Sequence, residues 1–327
     1  MEPLPRGANF LRAKMLWEIG LHIAGDPNEP YYGNRDVCIN VGSGSGERYR
    51  PWLRMSTGSP ALAHAVASGE LDAAFVNPSG FVTQAYRGTG LFAEPLPVRV
   101  LASYPSWDRY VHAIHPRTGI TSLAQIKEQR YPLRLSIRED VTHSTRVLND
   151  QVLAIYGFSV AELESWGGKL QTNGGPGDER RLRALEAGEI DAIFDEGLVL
   201  WFDQALAAGM VPIDLEDWAW EKLRAIGWRK ANIPAGPNGR YPHLKTDHVA
   251  IDYSGWPLYT RASLPDEVAY RIVDAVAARA EEIPWEEGAY TGVAQLGQDT
   301  EATPLDVPVH PGAARWYREH DYPVYEG

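Results

Sequence analysis

The chain has 327 residues, a formal net charge of −12, 44% hydrophobic residues and one cysteine. That length accommodates two compact lobes, each with its own core. The acidic balance argues against nucleic-acid binding, which needs a basic stripe, and against an anionic membrane surface, but leaves a small anionic ligand in a local pocket open. Cys38 cannot form an intrachain disulfide, and its place in the apolar run Val-Cys-Ile-Asn-Val predicts a buried, inert thiol. No run of about 18 apolar residues occurs, so nothing reads as membrane-embedded.

Residues 10–24 read as an amphipathic helix, with Leu11, Met15, Ile19 and Ile23 in an i, i+4 row. Arg12, Lys14, Glu18 and His22 interrupt the segment as a signal-peptide core would not tolerate. The expectation is a cytoplasmic protein, or a mature or truncated form of an exported one. Residues 28–36 read as a loop and Val37 to Val41 as a buried strand. The turn Gly42-Ser43-Gly44-Ser45-Gly46-Glu47 fails the Walker pattern, since no Gly-Lys-Ser/Thr follows. It fails the dinucleotide fingerprint because Glu47 stands where the third Gly belongs. A flexible turn is the better reading.

Ser59 and Pro60 then open a helix from Ala61 to Ser68, as N-cap and first helical residue. The Ser56 to Pro60 stretch is either a plain cap or a seat for a carboxylate. A strand follows at Ala73 to Val76, with Asn77-Pro78-Ser79-Gly80 at its carboxyl end, where open α/β sheets bind ligands. Val98 to Tyr104 and Tyr110 to His115 read as strands joined by a turn at Pro105 to Asp108. His112 and His115 fall on opposite faces of their strand, which is no metal-ligand arrangement. Ser122 with Gln125 predicts a capping box, and Leu133, Leu135 and Ile137 alternate as a strand. After a charged loop, Ser144 to Tyr156 form a helix closed by Gly157. Thr142, Ser144, Thr145 and Arg146 cluster at its start, either as a second anion seat or with Arg146 solvated.

Asn173 to Asp178 is a Gly/Pro loop. The strand Ala192 to Phe194 ends in Asp195-Glu196-Gly197, whose carboxylates either receive an amine or hydroxyls or are hydrated loop charges. Nothing else marks an acid/base pair there. Leu198 to Ala208 and Trp218 to Ile226 read as helical, and 232–245 as loop. Val249 to Tyr259 is a strand broken at Ser254-Gly255 and Pro257. A long helix begins at Leu264-Pro265-Asp266-Glu267, and a short one lies near Gly312 to Glu319.

One box occurs twice. Residues 67–75 read Ala-Ser-Gly-Glu-Leu-Asp-Ala-Ala-Phe, and 186–194 read Glu-Ala-Gly-Glu-Ile-Asp-Ala-Ile-Phe. Each is a helix ending at a Gly, a turn at an Asp and a buried strand. The repeat predicts two similar α/β lobes with one copy each.

Taken together, these pieces resemble the TAXI branch of TRAP-transporter solute receptors, a branch of the type II periplasmic-binding-protein fold. The resemblance covers roughly residues 56 to 320. It rests on Thr57-Gly58-Ser59 ahead of the first box, Arg99-Val100-Leu101-Ala102-Ser103-Tyr104, Gly119-Ile120-Thr121-Ser122-Leu123 and Ser144-Thr145-Arg146. It continues in Arg261-Ala262-Ser263-Leu264-Pro265-Asp266-Glu267-Val268 and His310-Pro311-Gly312-Ala313. It implies an α/β, two-lobed Venus flytrap. Lobe I would be 1–112 plus 247–327 and lobe II 113–246, with crossing strands near 98–115 and 246–260. It implies no cofactor, no catalysis, a small carboxylate or amino acid as ligand, TRAP permease subunits as partners, and a periplasmic location. The ligand residues it implies are Thr57, Gly58, Ser59, Asn77 and Ser79 from one lobe. From the other come Thr142, Ser144, Thr145, Arg146, Asp195 and Glu196. Tyr253 and Trp256 would form an aromatic wall or belong to the core. The chain departs from the family at its start, where the usual first strand is missing and 42–55 looks inserted. The alternatives are a cytoplasmic sensor or enzyme accessory on the same fold, or a degenerate receptor.

Overall fold

The computed structural model describes Met15 and residues 37–43, 50–236 and 240–327. The expected helix at 10–24 (Met15 apart), the loop at 28–36 and most of the glycine-rich turn lie outside the described residues.

Two mixed sheets organise the chain. The first half supplies β1 (Val37–Ser43), β2 (Arg50–Gly58), α1 (Leu62–Ser68), β3 (Ala73–Val76), α2 (Gly80–Arg87) and β4 (Val98–Tyr104). The chain then enters β5 (Arg109–Ile114), α3 (Leu123–Glu128), β6 (Arg134–Arg138), α4 (Ser144–Ile155), α5 (Val160–Ser165) and β7 (Lys169–Asn173). Next come α6 (Glu179–Glu186), β8 (Ala192–Asp195), α7 (Phe202–Ala207), β9 (Val211–Pro212), α8 (Asp217–Ile226), β10 (Lys230–Ile233) and β11 (His248–Asp252). It closes with β12 (Trp256–Arg261), α9 (Asp266–Ala278) and α10 (Pro311–Glu319).

The first sheet runs β1-β2-β3-β12-β4 and the second β10-β11-β5-β8-β6-β7, with β9 paired to β5. Among the described residues the chain passes between the sheets twice, at 105–108 and at 253–255. These passages bond to each other: Tyr253 N–H donates to the Asp108 carbonyl at 3.1 Å and Gly255 N–H to that of Ser106 at 3.2 Å. This is the mixed α/β, two-sheet architecture expected from the sequence. β5 belongs to the second sheet throughout.

Among the described residues no strand separates β2 from β3. They pair directly and in parallel, and β1 lies antiparallel on the outer edge. That edge position corrects one expectation. Cys38 is exposed rather than buried, and among the described residues β1 pairs with β2 alone.

The repeated box has one copy beside each sheet. Gly69 and Gly188 end α1 and α6 at φ +83° and +66°, the left-handed region that glycine adopts without strain. Asp72 and Asp191 then tie the incoming strand to its parallel neighbour. Some boundaries differ from expectation. The helix after Ser59 starts at Leu62, with Ser59 Oγ accepting from Ala61 N–H at 3.2 Å. Gln125 reaches back to Thr121 rather than to Ser122. Lys230 to Ile233, partly within the expected loop, pairs with β11.

Candidate functional site

A cavity of about 1090 Å³ opens between one face of the first sheet and α9. The register explains its floor. Ile39 is opposite Met55, Thr57 opposite Phe75, and Leu258 lies between Phe75 and Ala102. These residues share a face because side chains two apart on a strand point the same way. The facing wall includes Ile272, Ala275 and Val276 of α9. Aromatic rings close one side. Trp256 stacks on Tyr104 with centroids 4.7 Å apart, Tyr104 leans on Trp285 at 5.2 Å, and Trp285 stacks on Tyr290 at 4.3 Å.

The mouth carries the polar groups. Thr57, Gly58, Ser59 and Asn77 come from the strand ends of the first sheet, and Thr142, His143 and Ser144 from the start of α4 beside the second. Asn77 Oδ1 and Ser103 Oγ are buried with no hydrogen-bond partner among the described residues. Ser144 Oγ lies 2.7 Å from the Tyr253 hydroxyl. His143 caps α4, its Nδ1 accepting from Thr145 N–H at 3.2 Å. Burial and then the nearby Arg138 charge hold its pKa below the ordinary value, so the ring is neutral and can accept.

Of the residues singled out in the sequence, Thr57, Gly58, Ser59, Asn77, Thr142, Ser144 and Trp256 line this cavity. The others are placed elsewhere. Ser79 sits at the start of α2, its N–H bonded to the Ser254 carbonyl at 3.3 Å. Thr145 is buried, with Oγ1 2.9 Å from the Tyr253 hydroxyl. Tyr253 is wholly buried and serves as the shared hydroxyl partner of Ser144 and Thr145. Arg146 turns back along α4, with Nε 3.2 Å from Asp150 and Nη1 3.2 Å from the Arg138 carbonyl.

Asp195 and Glu196 also stand off the cavity. Asp195 is fully buried between Arg138 and Arg181, with Arg138 Nε 3.1 and 3.2 Å from its two oxygens. Burial alone would raise its pKa, but the two guanidinium groups outweigh it and keep the carboxylate charged. Glu196 pairs with Arg138, and its carbonyl accepts from Trp201 Nε1 at 2.8 Å. Asp108, in the first passage between sheets, accepts from Gly197 N–H at 2.9 Å. Burial, then the Glu196 charge, push its pKa well above the usual carboxylate range. These carboxylates tie β8 to the crossing segments and stand off the cavity, whose lining includes Arg271 and Arg279 beside its hydroxyl, amide and aromatic groups.

Sequence reasoning missed Tyr104, Phe75, His143, Ile272, Val276 and Trp285 as lining residues. Only Tyr104 had a signal, standing at a strand end next to a crossing turn. Among the described residues, no group of three or more His, Cys, Asp or Glu could hold a metal ion, and no helix is long and apolar enough to cross a membrane.

The model of the NMT1-like family matches residues 53–320. Several solved structures are similar. The alkanesulfonate-binding protein SsuA from Xanthomonas axonopodis pv. citri, bound to MOPS, is 13% identical at a TM-score of 0.29, covering 68% of this chain and 63% of its own. An ABC transporter periplasmic binding protein from Brucella ovis, with glutathione bound, is 12% identical at 0.29, covering 68% and 54%. The glycine/betaine/L-proline-binding protein ProX from Borrelia burgdorferi is 12% identical at 0.35, covering 68% and 74%. The chain thus spans less than two thirds of the first two proteins.

Proposed function

The chain belongs to the NMT1-like family, and on that premise we propose that it is a solute receptor, holding a small organic molecule between two lobes without transforming it. One observation carries this reading. The cavity is lined from both sides of the molecule, by Thr57 to Ser59 and Asn77 of the first sheet and by Thr142 to Ser144 beside the second. The two hydrogen-bonded passages at 105–108 and 253–255 join those sides. A ligand touching both shifts an open–closed equilibrium in proportion to the contacts it makes only when closed.

In this reading the lobes meet at the passages. One lobe holds 37–104 with 256–327, and the other holds 109–252. The finer assignment is a TAXI-type receptor that captures an organic acid or amino acid in the periplasm and delivers it to TRAP permease subunits. It is supported by Thr57-Gly58-Ser59 and Ser144 at the mouth.

The test is a thermal-shift screen of the full chain against organic acids and amino acids, since a ligand that binds only the folded state raises Tm. A hit should then bind by calorimetry with one site per chain and contract the molecule in small-angle scattering. A screen without a hit, or a hit that leaves the dimensions unchanged, overturns the closure reading.

A further inference from the structure

The first passage between the sheets holds a carboxyl pair. The Asp108 carboxyl hydrogen-bonds that of Glu196, the residue after β8. Two carboxylates offer only acceptors, so that bond requires a proton on one of them. It resides on Asp108, because among the described residues no cation is left for that carboxyl. Its oxygens otherwise accept only from backbone, Gly197 N–H at 2.9 Å and Arg109 N–H at 2.7 Å. The Arg109 guanidinium turns to Asp252, to Glu301 and to the Asp108 carbonyl at 2.8 Å. Arg138 is taken by Glu196 and Asp195, and Arg181 by Asp195. Arg240 lies over the Trp107 ring at 4.4 Å. Tyr241 and Tyr253, which also face the pair, are kept neutral, their pKa values raised chiefly by burial, and His143 is neutral as described above. Asp108 is only part-buried as a residue, so solvent protons reach it, while its carboxyl group is enclosed. A line of hydroxyls runs from the pair to the cavity. Thr145 Oγ1 is 3.4 Å from Glu196 Oε1 and 2.9 Å from the Tyr253 hydroxyl, which is 2.7 Å from Ser144 Oγ at the mouth.

We infer that Asp108 and Glu196 hold one proton between them, and that this proton locks the two passages as a hinge. With it, the first passage is tied to the end of β8. Without it, two like charges face each other, Asp108 leaves Glu196, and the passages loosen. Burial and the Glu196 charge hold the Asp108 proton well above the usual carboxylate range, so its release falls at a higher pH than that of an exposed carboxylate. Tyr253 carries the change onward, because its N–H donates to the Asp108 carbonyl while its hydroxyl holds Ser144 and Thr145. This goes beyond the receptor reading, and its test needs no ligand.

The test compares the full chain with Asp108→Asn, whose amide donates to Glu196 at every pH. The folded state keeps the Asp108 proton above the ordinary value of 3.8, so its stabilisation is complete below that value and is lost as pH rises through the folded one. The histidines titrate in both chains and cancel in the difference. The Tm of Asp108→Asn minus that of the parent should therefore grow by about 2–4 °C between pH 5 and pH 9. In small-angle scattering over the same range the parent should expand and the variant should not. If the asparagine variant does not fold, Glu196→Gln takes its place, since it leaves no second charge to repel Asp108 and should also keep its dimensions. A constant Tm difference means that no proton is shared. A growing difference without expansion of the parent means a buried acid that does not operate the hinge. Either result overturns the inference and leaves the receptor reading to its own screen.

Discussion

Asp72 and Asp191 occupy the same place in the two sheets. Each accepts a hydrogen bond from the backbone N–H of an arginine on the neighbouring parallel strand, Arg54 at 2.8 Å and Arg134 at 3.4 Å. Each returns its own N–H to that arginine's carbonyl, at 2.8 and 2.7 Å. A second arginine completes both sites, Arg261 on Asp72 at 3.0 Å and Arg117 on Asp191 at 2.9 Å. The repeated box is therefore a strand-alignment device, and its aspartates sit at the amino ends of β3 and β8, away from the candidate ligand.

Asp191→Asn should cost about 2 kcal/mol at pH 7, because charge-assisted bonds to two arginines become weaker neutral ones. The pH dependence has a defined sign. Burial raises the Asp191 pKa, but Arg134 and Arg117 outweigh it and hold it below its ordinary 3.8. The unfolded chain thus takes up the proton first. The stabilisation is complete above the unfolded value and disappears as pH falls through the folded one. Urea denaturation at pH 7 and pH 3 should show the variant's deficit shrinking in acid. An equal deficit at both would contradict the charge argument.

His112 sets a second, higher pH window. It is buried in β5 with edge contacts to Tyr110 and Phe194, and Nε2 has no partner among the described residues. Burial, then the charge of His248, lower its pKa from 6.5 to about 3. Here too the unfolded state binds the proton first. The stabilisation is complete above pH 6.5 and is lost as pH falls from there towards about 3. His112→Phe keeps the ring contacts and removes the titration. Its Tm should fall less than that of the parent between pH 6.5 and 4, and its stability at pH 7 should be within about 1 kcal/mol of the parent. Parallel Tm curves would show that His112 does not govern the slope.

Arg146 separates what the sequence could and could not show. The hydroxyl-rich start of α4 was legible, and Ser144 does line the cavity. Successive helical residues, however, turn by about 100°. Thr145 therefore faces Tyr253 and Glu196, and Arg146 faces Asp150. Which residue of three meets the ligand depends on how α4 is set against the second sheet, and no local pattern records that. Arg146→Ala should leave ligand affinity within about 3-fold and cost about 0.5–1 kcal/mol, since Asp150 is half exposed. A larger loss of affinity by calorimetry, without a loss of stability, would return Arg146 to the site.

The same limit explains the rest of the comparison. Strand and helix positions were legible wherever periodicity or caps were local, as at Val98 to Tyr104, Leu133 to Ile137 and Ser144 to Gly157. The cavity floor was not. Phe75, Leu258 and Ala102 are far apart in sequence and meet only through the antiparallel pairing of β12 with β3 and β4. Asp195 looked available because a strand end is exposed by default. Its partners Arg138 and Arg181 are 57 and 14 residues away.

The late His310-Pro311-Gly312 stretch acquires a packing explanation. His310 Nδ1 caps α10 by accepting from Gly312 N–H at 3.1 Å. A Cβ on Gly312 would stand 2.1 Å from the Asp266 carbonyl oxygen and 2.6 Å from its carbon. Those are backbone atoms at the start of α9, so no side-chain rotation relieves the clash. Gly312→Ala must push α10 away from α9, the helix that supplies one wall of the cavity. The expected cost is about 1–3 kcal/mol, the range for forced overpacking. Gly175→Ala is the control, because its Cβ would meet only Arg138 Nη1 at 3.8 Å, an ordinary contact. Thermal melts should place Gly312→Ala several degrees below the parent and Gly175→Ala within about 0.5 kcal/mol of it. If both variants melt with the parent, the close approach of α9 and α10 is not what requires glycine at 312.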